Sequence, residues 1–86
     1  MPRALTIQRA TVTRGDRAAY FARLKVKEAY YTARNCRFWA FEEMTLSGAF
    51  IEFTEADEAA TLKAAHASAP ERILDPGRIY SQVEIE

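Results

Sequence analysis

His66 is the only histidine in the chain and Trp39 the only tryptophan. An imidazole with an ordinary pKa near ~6.5 suits proton transfer, and it can also ligate haem iron. Against that stands a structural role, a helix-end histidine favoured by the helix dipole. Trp39 follows Asn35 by four residues on one extended segment. There an indole could stack on an aromatic ligand while the amide bonds its oxygen. Tryptophan is also a frequent anchor of subunit interfaces, and that role is preferred here.

Glu42, Glu43 and Glu52 are the carboxylates that could pair for acid/base work. Glu42 and Glu43 are neighbours on a strand, so they point to opposite faces. Glu52 is expected beside Trp39, paired with Arg37 or with an arginine of a second subunit. Cys36 is expected to pack as a small apolar group facing the helices. One Cys and one His offer no metal-ligand spacing. The glycines, isolated at 15, 48 and 77, form no phosphate loop. Neither a metal nor a cofactor is therefore expected.

The elements that must position these residues follow from periodicity. Residues 4–13 read as a strand whose alternation slips, which suggests a bulge near Gln8–Arg9. Arg14-Gly15-Asp16 is a turn, with Asp16 a fair N-cap. Residues 17–34 lack Pro and Gly and read as a helix. That helix has two apolar stripes: Ala19, Ala22, Val26, Ala29, Tyr30 and Ala33 on one side, and Tyr20, Leu24 and Tyr31 with Phe21 on the other. Spacing alone leaves open which stripe meets a sheet.

Residues 36–43 and 48–54 read as a hairpin around a turn at 44–47. Placing Phe41 opposite Phe50 puts Trp39 opposite Glu52 and Arg37 opposite Thr54. Residues 57–68 form a second helix, capped by Thr54 or Asp57 and stopped by Pro70, with Ala59, Leu62, Ala65 and Ala69 buried. Asp75-Pro76-Gly77 fits a turn, and 78–85 a last strand.

Strand, helix, two strands, helix, strand is the ferredoxin-like βαββαβ order, an α+β domain spanning 1–86. Both helices should cover one face of a four-stranded antiparallel sheet, over Phe38, Ile51, Phe53, Ile79 and Val83. The opposite face should then present Trp39, Phe41, Phe50, Tyr80, Glu52, Gln82 and Glu84. Such a mixed aromatic and polar face calls for a partner, a ligand, or both.

At 86 residues there is room for one small domain, which a second copy could stabilise. The start of the chain has no apolar stretch resembling a signal peptide, and no uncharged run would span a bilayer. A single cysteine fits a reducing compartment, so a cytoplasmic location without membrane partners is expected. The net charge is zero but uneven: residues 1–37 carry nine basic and two acidic side chains, and residues 38–86 three basic and ten acidic. Charge complementarity between the halves explains this better than an anionic partner does. Nucleic acid is further disfavoured because Ala49-Phe50-Ile51-Glu52-Phe53 matches only half of an RNA-recognition strand and carries a carboxylate.

Three segments, Asn35-Cys36-Arg37-Phe38-Trp39-Ala40-Phe41-Glu42, Gly48-Ala49-Phe50-Ile51-Glu52-Phe53 and Leu62-Lys63-Ala64-Ala65-His66-Ala67-Ser68, resemble the dimeric α+β barrel superfamily. Within it they resemble the antibiotic-biosynthesis-monooxygenase-like proteins. The resemblance implies a homodimer with facing sheets and a small-molecule pocket. Some relatives oxygenate aromatic substrates without metal or flavin, using Asn, Trp, Tyr and His. On that implication Asn35, Trp39 and His66 would be catalytic, and Phe41, Phe50, Glu52 and Tyr80 would line a site for an aromatic or hydrophobic molecule. The alternative is a non-catalytic dimerisation module.

Overall fold

A computed structural model of the chain describes residues 3–71 and 77–85. Strand β1 is Ala4–Thr11, and a 3-10 turn at Arg14–Asp16 leads into helix α1, Arg17–Thr32. Strands β2 (Cys36–Glu42) and β3 (Ala49–Ala56) follow, then helix α2 (Ala59–Ala67) and strand β4 (Tyr80–Ser81). The sheet runs β2-β3-β1-β4 and is antiparallel at every pairing. This is the ferredoxin-like α+β fold that the element order requires.

No bulge interrupts β1. Its register against β3 is continuous from Ala4↔Ala56 to Thr11↔Ala49. The slip in alternation has another cause: each half of the strand is apolar on a different face. Leu5 and Ile7 point away from the helices, whereas Ala10 and Val12 belong to the helix side. Helix α1 stops before Arg34 because Asn35 takes φ 62°, a left-handed conformation that Asn tolerates better than most residues. Asp16 sits at the N-cap of α1 but does not cap it. Its carboxylate accepts from the Thr13 hydroxyl instead, at 3.0 Å.

The hairpin register differs from expectation by one residue. Trp39 pairs with Phe53, Phe41 with Ile51, Ala40 with Glu52 and Arg37 with Glu55. The connection is longer than a four-residue turn. Glu43 N–H donates to the Ala49 carbonyl, so the loop takes in 44–48, and Gly48 adopts φ 91°. A one-residue slip exchanges the faces of a strand. Phe50 and Glu52 therefore lie under the helices, not beside Trp39. Ile51 and Phe53 lie on the outer face, not under the helices.

The aromatic stripe of α1 meets the sheet: Tyr20 and Tyr31 are buried, while Val26 is exposed. Tyr31 stacks on Phe38 and joins Ala4, Cys36, Ala56, Leu62 and Ala65 in the main core. Cys36 packs as the small apolar group expected, and burial raises its thiol pKa. Beyond it, Tyr20 and Phe21 pack on Phe50, with ring centroids 4.6 and 5.8 Å away.

Helix α2 is shorter than expected and carries no side-chain cap. Thr54 is a buried residue of β3, and Glu58 holds the N-cap position. Leu62 and Ala65 are buried as expected, with Ala69 packed against them, but Ala59 is exposed. Strand β4 is also shorter. Ile79 packs against the core, but Val83 and Ile85 are exposed and belong to no core among the described residues. Asp75 and Pro76 of the expected turn lie outside the described residues.

Among the described residues, every ion pair joins a cation from the first 37 positions to a carboxylate from the rest. Arg3 and Arg37 meet Glu55, Arg37 also meets Asp57, Arg17 meets Glu42, and Arg23 and Lys27 meet Glu71. Lys27 also meets Glu52. The uneven charge is thus spent on holding the halves together. Among those residues no helix is long and apolar enough to cross a membrane.

Candidate functional site

Helix α1 and the segment beyond α2 leave a cleft along β1 of about 490 Å³, within the range of small-molecule sites. On the sheet it runs along the consecutive residues Gln8, Arg9, Ala10, Thr11 and Val12, with Glu52 opposite Gln8. Its walls are Tyr20, Arg23 and Lys27 from α1 and Glu71 beyond α2.

Glu52 is the centre of this cleft and is only 4% exposed. A buried carboxylate must be neutralised and hydrogen-bonded. Tyr20 Oη donates to its Oε2 at 2.7 Å, and Lys27 Nζ donates to its Oε1 at 3.0 Å. Helical spacing delivers both donors, because positions 20 and 27 are seven residues apart on one face of α1. Burial first, and donation to Glu52 second, raise the Tyr20 pKa above the ordinary phenol range. Tyr20 therefore keeps its proton and stays a donor to Glu52.

His66 lies on the same side of the sheet, half-buried at the border of the core. Its Nε2 is 2.7 Å from Thr6 Oγ1 and its Nδ1 is 2.8 Å from Tyr31 Oη. A neutral imidazole has one donor and one acceptor, so two such partners satisfy it. Burial lowers its pKa, and burial foremost pushes Tyr31 up to about 12. The histidine ties α2 to β1 and α1, a larger structural role than a dipole contact at a helix end.

The face away from the helices is arranged differently. Ile7, Phe53 and Trp39 form one row across β1, β3 and β2, and Arg9, Ile51 and Phe41 the next. Tyr80 sits beside Leu5 at the β4 edge. Trp39, Phe41 and Tyr80 are 36%, 54% and 47% exposed. One border carries the network in which Glu55 accepts from Arg37 at 2.6 Å and Arg37 reaches Asp57 at 2.9 Å. The face is more apolar than expected, because Glu52 has left it and Ile51 and Phe53 have joined it.

The residues singled out from sequence are thus divided by the sheet. Phe50, Glu52 and His66 lie on the helix side, and Phe50 is buried under Tyr20 and Phe21. Trp39, Phe41 and Tyr80 lie on the outer face. Asn35 is exposed at the end of α1. Within one chain, Asn35, Trp39 and His66 do not gather around a common space. Glu52 pairs with Lys27 and Tyr20 rather than with Arg37. Tyr20, Arg23, Lys27 and Glu71 are cleft residues that pattern reasoning passed over. Among the described residues, no group of three or more His, Cys, Asp or Glu side chains is placed to hold a metal ion.

No family model, curated protein or solved structure matches this chain.

Proposed function

We propose that the chain works as a small-molecule-binding homodimer, with the outer faces of two sheets packed together and the helix-side cleft of each subunit left to a ligand. The observation that carries this reading is a sheet with two apolar faces and helices over only one. Ile7, Trp39, Phe41, Ile51, Phe53 and Tyr80 would otherwise stand in water. Strands of this length make a plate of roughly 25 by 15 Å, the size at which an exposed apolar patch on a small domain is often an interaction surface. Its borders carry both signs of charge, which a two-fold pairing can match to itself. The position of Glu52, buried beneath an open cleft, supports placing the ligand there.

Sedimentation equilibrium tests the dimer. The expected species has twice the 9.8 kDa chain mass, and Phe41→Glu yields a folded monomer. A wild-type monomer at micromolar concentration sinks the pairing. A thermal-shift library of small aromatic molecules, neutral and charged, tests the ligand. The oxygenase chemistry implied by the resemblance draws less support, because Trp39 and His66 lie on opposite sides of one sheet. A second reading, a non-catalytic dimerisation module, is favoured by the saturation of both His66 nitrogens by Thr6 and Tyr31. A library without a single hit would prefer it.

A further inference from the structure

Lys27 is shared by two carboxylates of different character. Its Nζ lies 3.0 Å from Glu52 Oε1 and 3.1 Å from Glu71 Oε2. One turn earlier on α1, Arg23 Nε lies 3.5 Å from the other oxygen of Glu71. Each oxygen of Glu71 therefore faces one cation. Glu52 is fixed: it belongs to a central strand, its side chain is 5% exposed, and Tyr20 also holds it. Glu71 is not: its side chain is 42% exposed, and it lies beyond α2, outside any helix or strand.

The charges sort accordingly. Glu52 neutralises Lys27 from below and keeps its ammonium aimed into the cleft. Glu71 neutralises Arg23 from the rim. Only the second carboxylate can leave without stranding a buried charge. Exposed ion pairs contribute little, so this one exchanges readily for another anion of the same geometry. Besides these side chains the cleft is lined by Gln8, Arg9, Ala10, Thr11, Val12 and Tyr20.

We infer that the cleft binds a small organic carboxylate, which takes the place of Glu71 between Arg23 and Lys27 while the rest of the molecule lies along Gln8, Ala10 and Tyr20. This inference rests on the small-molecule reading above and names the class of ligand. Glu71 is then an internal stand-in, and the apparent affinity is reduced by the fraction of time it stays bound.

Benzoate and its neutral counterpart benzamide serve as probes, titrated at constant ionic strength and followed by amide chemical shifts. Benzoate is expected to perturb amides of β1 and of the first three turns of α1, and to bind several-fold more tightly than benzamide. Glu71→Gln, at an exposed position that leaves the fold intact, should tighten benzoate about two- to fivefold, the range set by the strength of an exposed ion pair. It should leave benzamide unchanged, and Arg23→Gln should weaken benzoate. Equal binding of the two probes, or benzoate affinity indifferent to Glu71→Gln, overturns the carboxylate assignment while the cleft remains a ligand site. If neither probe perturbs the cleft, the assignment falls, and a library without hits removes the ligand site with it.

Discussion

Trp39 stands opposite Phe53 across the β2–β3 hairpin, the two rings stacked at 6.1 Å with 26° between their planes. Phe41 packs edge-on against the same Phe53 at 5.7 Å. This aromatic group defines the outer face, and the register that creates it also turns Glu52 inward. The two outcomes cannot be separated, since one residue of slip would exchange them. An outward Glu52 would spare the chain a buried carboxylate but would leave Phe53 in its place beneath Lys27 and Tyr20. The observed register gives each group a partner.

Gly48 maintains that register. Its φ of 91° disfavours any side chain, and a Cβ there would run into the Val12 carbonyl oxygen, which is backbone. Its own carbonyl accepts from Val12 N–H at 2.8 Å. Gly48→Ala is expected to lower stability by about 1–3 kcal/mol, the usual cost of a strained backbone position. Urea denaturation measures it, and an unchanged midpoint would refute the role given to the loop.

Glu52 and Lys27 should be energetically coupled. Lys27→Met leaves a buried carboxylate without its cation and should cost about 3–5 kcal/mol. Glu52→Gln keeps the size and an acceptor for Tyr20 and should cost only about 1–3 kcal/mol. The double variant should be more stable than the sum of the two losses implies. A denaturation cycle in which the two losses simply add would contradict a paired, buried site.

The element order was legible because both helices and both hairpin strands carry strong local signals, and the sheet order follows from them. The faces of the hairpin were not. Both strands alternate aromatic and polar residues in nearly equal measure, so either register buries something apolar. The deciding signal lay elsewhere, in α1. Tyr20, Leu24, Lys27 and Tyr31 recur at helical spacing, and a lysine within an apolar stripe requires a carboxylate beneath it. Glu52 is the residue that meets this need. Strand β4 misled for a different reason: Val83 and Ile85 keep the alternation of a strand but pair with no strand among the described residues, which periodicity cannot reveal.

Arg17 and Glu42 form a two-pronged pair at the hairpin end of the sheet, with nitrogen–oxygen distances of 2.7 and 2.8 Å. The Gly48 N–H also donates to Glu42. Arg17 above all, and then this amide, hold the Glu42 pKa down at about 2. Arg17→Ala should let it climb toward the ordinary carboxylate range near ~4.3. A carboxyl-carbon NMR titration reads this directly. The sign follows from linkage: the contribution of the pair is present above the unfolded pKa and is lost as the pH falls toward about 2. A Glu42 titration unmoved by Arg17→Ala would assign the shift to the loop amide alone.

His66 gives the opposite direction of titration from a raised imidazole. Burial holds its folded pKa below the unfolded value of about ~6.5. Between the two values the unfolded chain takes up a proton that the folded chain refuses, so acid favours unfolding. The stabilisation is complete above the unfolded pKa, declines as the pH drops below it, and levels off once the folded imidazole is protonated as well. Protonation also turns the accepting ring nitrogen into a donor, so whichever of the Thr6 and Tyr31 hydroxyls donated to it must turn round and accept. Other groups titrate in the same range, and His66→Asn separates them. The stability gap between wild type and His66→Asn should narrow from pH 7.5 to 5.5, by no more than about 1.4 kcal/mol per pH unit for one proton. A gap that holds constant or widens over that interval would mean that His66 is not the half-buried neutral tie between α2, β1 and α1.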